Sequence, residues 1–129
     1  MNERRLSGTR PQQNQTRNSQ LTLVKILHTV IWALFVGCIV ALPLAGLKRR
    51  FDWALELTAV VLLECIILIA NRGRCPLTGL AAQLTEDRTD NFDIYLPLWL
   101  ARHNKAIFGS LFLAAELIVL GCWLTGQSR

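Results

Sequence analysis

Apolar residues along this chain gather into three long runs separated by polar ground. The first, "ILHTVIWALFVGCIVALPLAGL" at 26–47, carries no charged side chain over 22 residues. As a helix rising 1.5 Å per residue it would reach about 33 Å, more than a hydrocarbon core of about 30 Å. "FDWALELTAVVLLECIILIA" at 51–70 and "AIFGSLFLAAELIVLGCWL" at 106–124 are the second and third runs. The pattern predicts an all-α membrane protein with three transmembrane helices. The connection at 48–50 is so short that the second helix must return antiparallel to the first. A cleaved leader is the alternative for the first run. That run exceeds an h-region of about 7–15 residues and no A-x-A site follows it, so a retained helix fits better. Pro43 removes one hydrogen bond near its far end, which membrane helices tolerate.

The polar ground divides into two regions. Residues 1–20, "MNERRLSGTRPQQNQTRNSQ", hold almost no large apolar side chain. Such a segment cannot bury enough surface to offset its ordering entropy, so a disordered basic tail is predicted, with a weak anchor to anionic lipid as the alternative. Residues 21–126 then form a single transmembrane helical domain. Between spans two and three, residues 71–105 predict short interfacial, amphipathic helices. Asn71 and Gly73 are turn signals, and Pro76 suits a first helical position because its missing N–H would be an orphan there. Leu77, Leu80, Ala81 and Leu84 follow at helical spacing. In "TDNFDIYLPLWLARHN", Tyr95 and Trp99 are four apart, which places both on one face at head-group level. Pro97 argues against a long straight helix there, and Asn104 is a candidate N-cap for span three. A re-entrant or fourth membrane segment at 92–101 is the competing reading.

Composition agrees with the membrane class. Hydrophobic residues make up 52% and charged residues 18%, against about a quarter charged in soluble domains. The net charge of +5 needs no nucleic acid to explain it. Basic residues beside apolar spans set orientation and meet anionic lipid, and no basic stripe with interleaved aromatics is present. Five Lys or Arg lie at or before Lys25 and five in 71–105, against three in the 48–50 turn and one at the C-terminus. The positive-inside rule puts the N-terminus and the 71–105 region in the cytoplasm, with Lys48-Arg49-Arg50 as the contrary cluster.

Candidate chemistry is sparse. Cys38, Cys65, Cys75 and Cys122 include no C-x-x-C pair and offer neither a disulfide framework nor a zinc site. Glu64 and Glu116 stand inside spans, where a carboxylate costs about 2.5–3.5 kcal/mol on insertion scales. Each must be neutral, face a polar cavity, or meet a donor such as His28, Thr58 or Ser110. A proton, quinone or small-ligand site competes here with a plain interhelical hydrogen bond. His28 and His103 are the weak candidates for a haem axial pair. Cys75, at a helix mouth beside Arg72 and Arg74, is either a reactive thiol or a small residue fixing the loop. "EDRTDNFD" does not follow the calcium-loop pattern; Asp90 or Asn91 is expected to cap a following turn. Thr29, Ala33, Gly37, Ala41 and Ala45 recur every four residues as a small-residue ridge suited to a close helix neighbour.

"HTVIW" and "NRGRCPLTGLAAQLTEDRTDNFDIYLPLWLARHNKAIFG", with the runs around them, resemble a family of small bacterial integral membrane proteins of unknown function. Its signature is Cys-Pro-Leu-Thr after the second span and a Phe/Tyr-Leu-Pro segment before the last. The resemblance covers roughly residues 23–124 and places motif positions at His28, Cys75, Pro76, Leu77, Thr78, Tyr95 and Pro97. The family often carries an acid soon after its motif, where Gly79-Leu80-Ala81-Ala82 stand here. The resemblance implies architecture and a bacterial inner membrane, and no activity. The first functional expectation is therefore a non-enzymatic accessory or structural component of a membrane complex. It would contact the bilayer and either a membrane-protein partner or further copies of itself, and it calls for no cofactor. The alternatives are a small redox or ligand-binding protein using His28, Glu64 and Cys75 with haem or quinone, and an oligomeric transporter.

Overall fold

A computed structural model describes residues 9–127. It contains four helices: α1 (Thr9–Leu47), α2 (Phe51–Ala70), α3 (Pro76–Leu84) and α4 (Leu98–Gln127). No strand occurs among the described residues. Three of the helices, α1, α2 and α4, are long and apolar enough to cross a membrane. The short α3 lies between the second and third of these. This is the architecture of a multi-pass membrane protein. Outward-facing Leu34, Leu63 and Leu113 stay about 60% exposed, as expected of side chains that meet lipid.

Two helices begin earlier than their apolar runs. Residues 9–20, expected to be disordered, continue α1 as helix, while residues 1–8 lie outside the described residues. Extending a helix that the membrane span already nucleates costs far less than starting one. Thr16, Ser19 and Thr22 also turn their hydroxyls back onto the carbonyls of Gln12, Gln15 and Asn18. Helix α4 begins at Leu98 rather than 106. Pro97 does not break it, because its carbonyl accepts the first helical bond from Ala101 N at 3.0 Å and no N–H is needed there. Asn104 is thus inside the helix and caps nothing. Residues 98–101 are its first turn, so 92–101 form no separate membrane segment. Tyr95 precedes the helix, which removes the shared face expected with Trp99.

Helices α1 and α2 end in the same way. Arg50 N bonds Ala45 O at 2.9 Å and Arg49 N bonds Gly46 O at 3.0 Å. Gly73 N likewise bonds Leu68 O at 2.6 Å, and Arg72 N bonds Ile69 O at 3.2 Å. These paired bonds define Schellman motifs, which need a left-handed residue after the helix. Arginine fills both positions, with φ of 56° at Arg49 and 59° at Arg72.

Helices α1 and α4 run parallel. Trp32 meets Asn104 and Phe108 near one end, and Gly46 meets Val119 near the other. Around the α1–α2 turn, Leu42, Ala45, Ala54 and Ala115 form a buried cluster backed by Leu57, Phe112 and Val119. A Cβ on Gly46 would lie 3.1 Å from the Val119 Cα, so glycine is what permits this approach. Of the small-residue ridge, only Ala45 is buried; Ala33 and Gly37 face outward. A four-residue repeat drifts by about 40° per step on a 3.6-residue helix, so the ridge cannot stay on one interface. Toward the opposite end the long helices part, and α3 with the 85–97 connection bridges them.

Candidate functional site

Helix α3 explains the spacing of Cys-Pro-Leu-Thr. Cys75 is the N-cap with extended backbone, Pro76 the first helical residue and Thr78 the third. Residues three apart share a helix face, and Cys75 and Thr78 both turn to the same cleft. The Cys75 side chain makes no capping bond, which leaves its thiol available. Leu77 is partly buried and Pro76 exposed; neither lines the cleft.

His28 reaches this point from α1. Its Nδ1 lies 3.2 Å from a carboxylate oxygen of Asp93 and 3.2 Å from the Asp93 carbonyl oxygen. Both are acceptors, so Nδ1 carries the proton and donates. Thr78 Oγ1 donates to the same carboxylate oxygen. The Cys75 side chain lines the same cleft as the imidazole. Asp93 is buried, with 5% exposure. Burial pushes its carboxyl pKa up, but hydrogen bonds from His28 and Thr78, and the charge of His28, outweigh that and hold it below the ordinary value. Thr29, one residue after His28, accepts a bond from Tyr95 N at 3.0 Å, so α1 fixes the loop at two adjacent points. The result is an imidazole and a hydroxyl both bonded to one buried carboxylate, with the Cys75 thiol on the same cleft wall. Among the described residues, no three of His, Cys, Asp and Glu are arranged to hold a metal ion.

The cluster sits on the wall of an open cleft of about 1040 Å³. Below it, Ile31, Phe35 and Ile39 of α1, Val61 and Leu68 of α2, and Phe108 and Phe112 of α4 make an apolar trench. Above it, Arg72, Arg74 and Lys105 line the rim. Among the described residues none of these three cations has a carboxylate within 4 Å; the ion pairs formed are His28–Asp93, Arg50–Asp52 and Arg102–Asp90. Lys105 Nζ stands 3.3 Å from where a Cβ on Gly73 would be, so the glycine lets the ammonium reach the backbone of the α2–α3 turn.

The other candidates divide clearly. Glu64 lines the trench and meets no hydrogen-bond donor among the described residues. Glu116 accepts a 2.6 Å bond from Thr58 Oγ1 and is the interhelical glue that the sequence offered as one option for both acids. His103 lies outside the cleft, its Nδ1 2.8 Å from the Trp99 carbonyl of its own helix. The structure therefore does not bring His28 and His103 together as an axial pair. Tyr95 is exposed with Lys25 over its ring at 5.3 Å, and Pro97 is exposed at the start of α4. Neither Asp90 nor Asn91 caps a helix: Asp90 pairs with Arg102 at 2.8 Å and Asn91 donates to Leu96 O at 2.9 Å.

Sequence reasoning missed Asp93 and Asn104. Asp93 was one acid in an acidic run, yet it stands between Phe92 and Ile94 in an otherwise apolar stretch to Leu100, and that isolation was the available signal. Asn104 Oδ1 accepts the Trp32 indole N–H at 2.9 Å, and Phe108 meets the same indole edge-on at 5.4 Å. These contacts set the floor of the cleft just below His28. No family model, curated protein or solved structure matches this chain.

Proposed function

We propose that this is a ligand-binding membrane protein whose cleft holds an amphiphile with an anionic head group. The observation that carries the reading is the cleft's polarity. An apolar trench from all three long helices ends at a rim of three cations without carboxylate partners. A buried apolar chain below and a phosphate or carboxylate above would satisfy both surfaces. We place the protein in a bacterial inner membrane with its N-terminus in the cytoplasm, following the Lys and Arg bias and the family resemblance. The test is native mass spectrometry of the chain released from bilayers of equal dioleoylphosphatidylglycerol and dioleoylphosphatidylcholine. The expected result is preferential retention of the anionic lipid, reduced at least fivefold in the Arg72→Gln/Arg74→Gln/Lys105→Gln variant. Equal retention of the two lipids by the unmodified protein overturns the reading.

A second reading, an accessory component of a membrane complex, rests on Ala33 and Gly37. Both face outward in mid-helix, and a Cβ on Gly37 would meet nothing within 4 Å. Small residues there admit a close helix from a partner or a second copy. A Gly37→Leu variant that leaves co-purifying proteins and oligomeric state unchanged removes this second reading.

A further inference from the structure

We infer that Glu64 selects the amphiphile: the ligand carries a hydroxyl on its apolar part, below its anionic head, and that hydroxyl bonds the Glu64 carboxyl. The inference rests on the amphiphile reading above and adds the chemistry of the chain that fills the trench. Two acids stand inside the membrane spans, and they are satisfied differently. Glu116 finds its donor within the protein, Thr58 Oγ1 at 2.6 Å. Glu64 makes no hydrogen bond or ion pair among the described residues. Nor does it point away from the cleft. Val61, Glu64, Cys65 and Leu68 recur at helical spacing, and all four line the trench from one face of α2. A carboxyl on such a wall is costly without a partner, and the open cleft is where that partner enters.

Depth and chemistry narrow the partner. With a rise of about 1.5 Å per residue, Glu64 lies about 9 Å along α2 from its last residue, Ala70. The turn after Ala70 carries Arg72 and Arg74, which meet the head group. The group that bonds Glu64 is therefore on the apolar part of the ligand and not on its head. A hydroxyl donates to a carboxylate and accepts from a carboxylic acid, so it pairs with Glu64 in either protonation state. An ammonium pairs only with the carboxylate, and carries a charge into the trench at far greater cost. A plain alkyl chain leaves Glu64 without a partner. Two sources have a hydroxyl at this separation from an anionic head. One is a glycerophosphate whose acyl chain is hydroxylated close to its ester. The other is a free fatty acid hydroxylated near mid-chain.

The experiment presents both sources to the full chain in phosphatidylcholine bilayers and reads retention by native mass spectrometry. One arm offers equal β-hydroxymyristoyl and myristoyl glycerophosphate. The other offers equal mid-chain hydroxystearate and stearate. The expected result is a preference of about fivefold or more for the hydroxylated form, the scale of one net hydrogen bond, and the arm that shows it identifies the source. The same chain hydroxylated at its terminal carbon should gain no preference, because that hydroxyl passes below Glu64. Glu64→Leu should abolish the preference and keep its retention of the unhydroxylated lipid, which also reports on its folding. Retention of phosphatidylglycerol over phosphatidylcholine, with no hydroxyl preference in either arm, overturns this inference and leaves the amphiphile reading standing. A preference that is equal for the terminal hydroxyl, or that survives in Glu64→Leu, also overturns it. Equal retention of phosphatidylglycerol and phosphatidylcholine overturns the amphiphile reading instead.

Discussion

At the end where α1 turns into α2, alanines at 45, 54 and 115 draw three helices around Leu42, and Gly46 admits the α4 backbone. At the other end Trp32, Phe35 and Phe108 stand where those alanines would be, and the helices part around a cleft. There the chain is tied by several long-range polar bonds, against the single Thr58–Glu116 bond beside the closed end: His28 and Thr78 to Asp93, Trp32 to Asn104, and Tyr95 N to Thr29. Both ends use the same helix-terminating motif, with arginine in the left-handed position. The backbone ending is thus shared, and side-chain volume decides which end is packed and which is open.

The largest effect should come from filling the closed end. Gly46→Leu drives a side chain into the Val119 backbone, 3.1 Å from the Cβ position alone. We expect a loss of about 3 kcal/mol, at the upper end for overpacking, read from unfolding in detergent mixtures. A loss under about 0.5 kcal/mol would mean that the close approach does not define this end. Next, Leu42→Ala should cost about 2 kcal/mol. Leu42 is fully buried, but lipid also solvates an apolar side chain in the unfolded state, so the cost falls toward the low end of the Leu→Ala range. Lipid retention by the cleft should survive this change if the two ends are separable.

At the open end, Asp93→Asn should cost about 1–2 kcal/mol at neutral pH, because a buried charge-assisted hydrogen bond is lost. The sign of the pH dependence follows from a folded pKa held below the unfolded one. Asp93 therefore contributes its full stability above the ordinary carboxylate value of about 3.9, and loses it as pH falls through the lower folded value. Protection of the amides at residues 91–96, taken relative to their intrinsic exchange rate, should fall in acid for the native chain and should lose that dependence in Asp93→Asn. The smallest effects separate the two arginines. Arg72→Gly and Arg49→Gly should each gain up to about 1 kcal/mol by relieving a left-handed arginine. Only Arg72→Gly should also reduce retention of anionic lipid, since Arg72 lines the cleft and Arg49 does not.

Much of the frame was legible because periodicity and punctuation are local. The bounds of α2 and the start of α3 at Pro76 follow directly from the apolar run and the proline. The starts of α1 and α4 did not, since both helices propagate beyond the membrane through residues with no apolar signature. The site was half visible. His28, Glu64, Cys75 and Thr78 stood out singly, but the residue joining two of them, Asp93, lies 65 positions from His28 and comes near only when α1, α3 and the 85–97 connection pack. No local pattern encodes such a meeting.

The most direct measurement of whether the open end is a binding cleft is photo-cross-linking. A trace of phosphatidylglycerol with a diazirine in its acyl chain is diluted into phosphatidylcholine bilayers around the protein, and labelled residues are mapped by peptide mass spectrometry. Labelling concentrated at Phe35, Ile39, Phe108 and Phe112, competed by excess unlabelled phosphatidylglycerol, is the predicted result. Labelling spread evenly onto the outward-facing Leu34, Leu63 and Leu113, and indifferent to competitor, would contradict it.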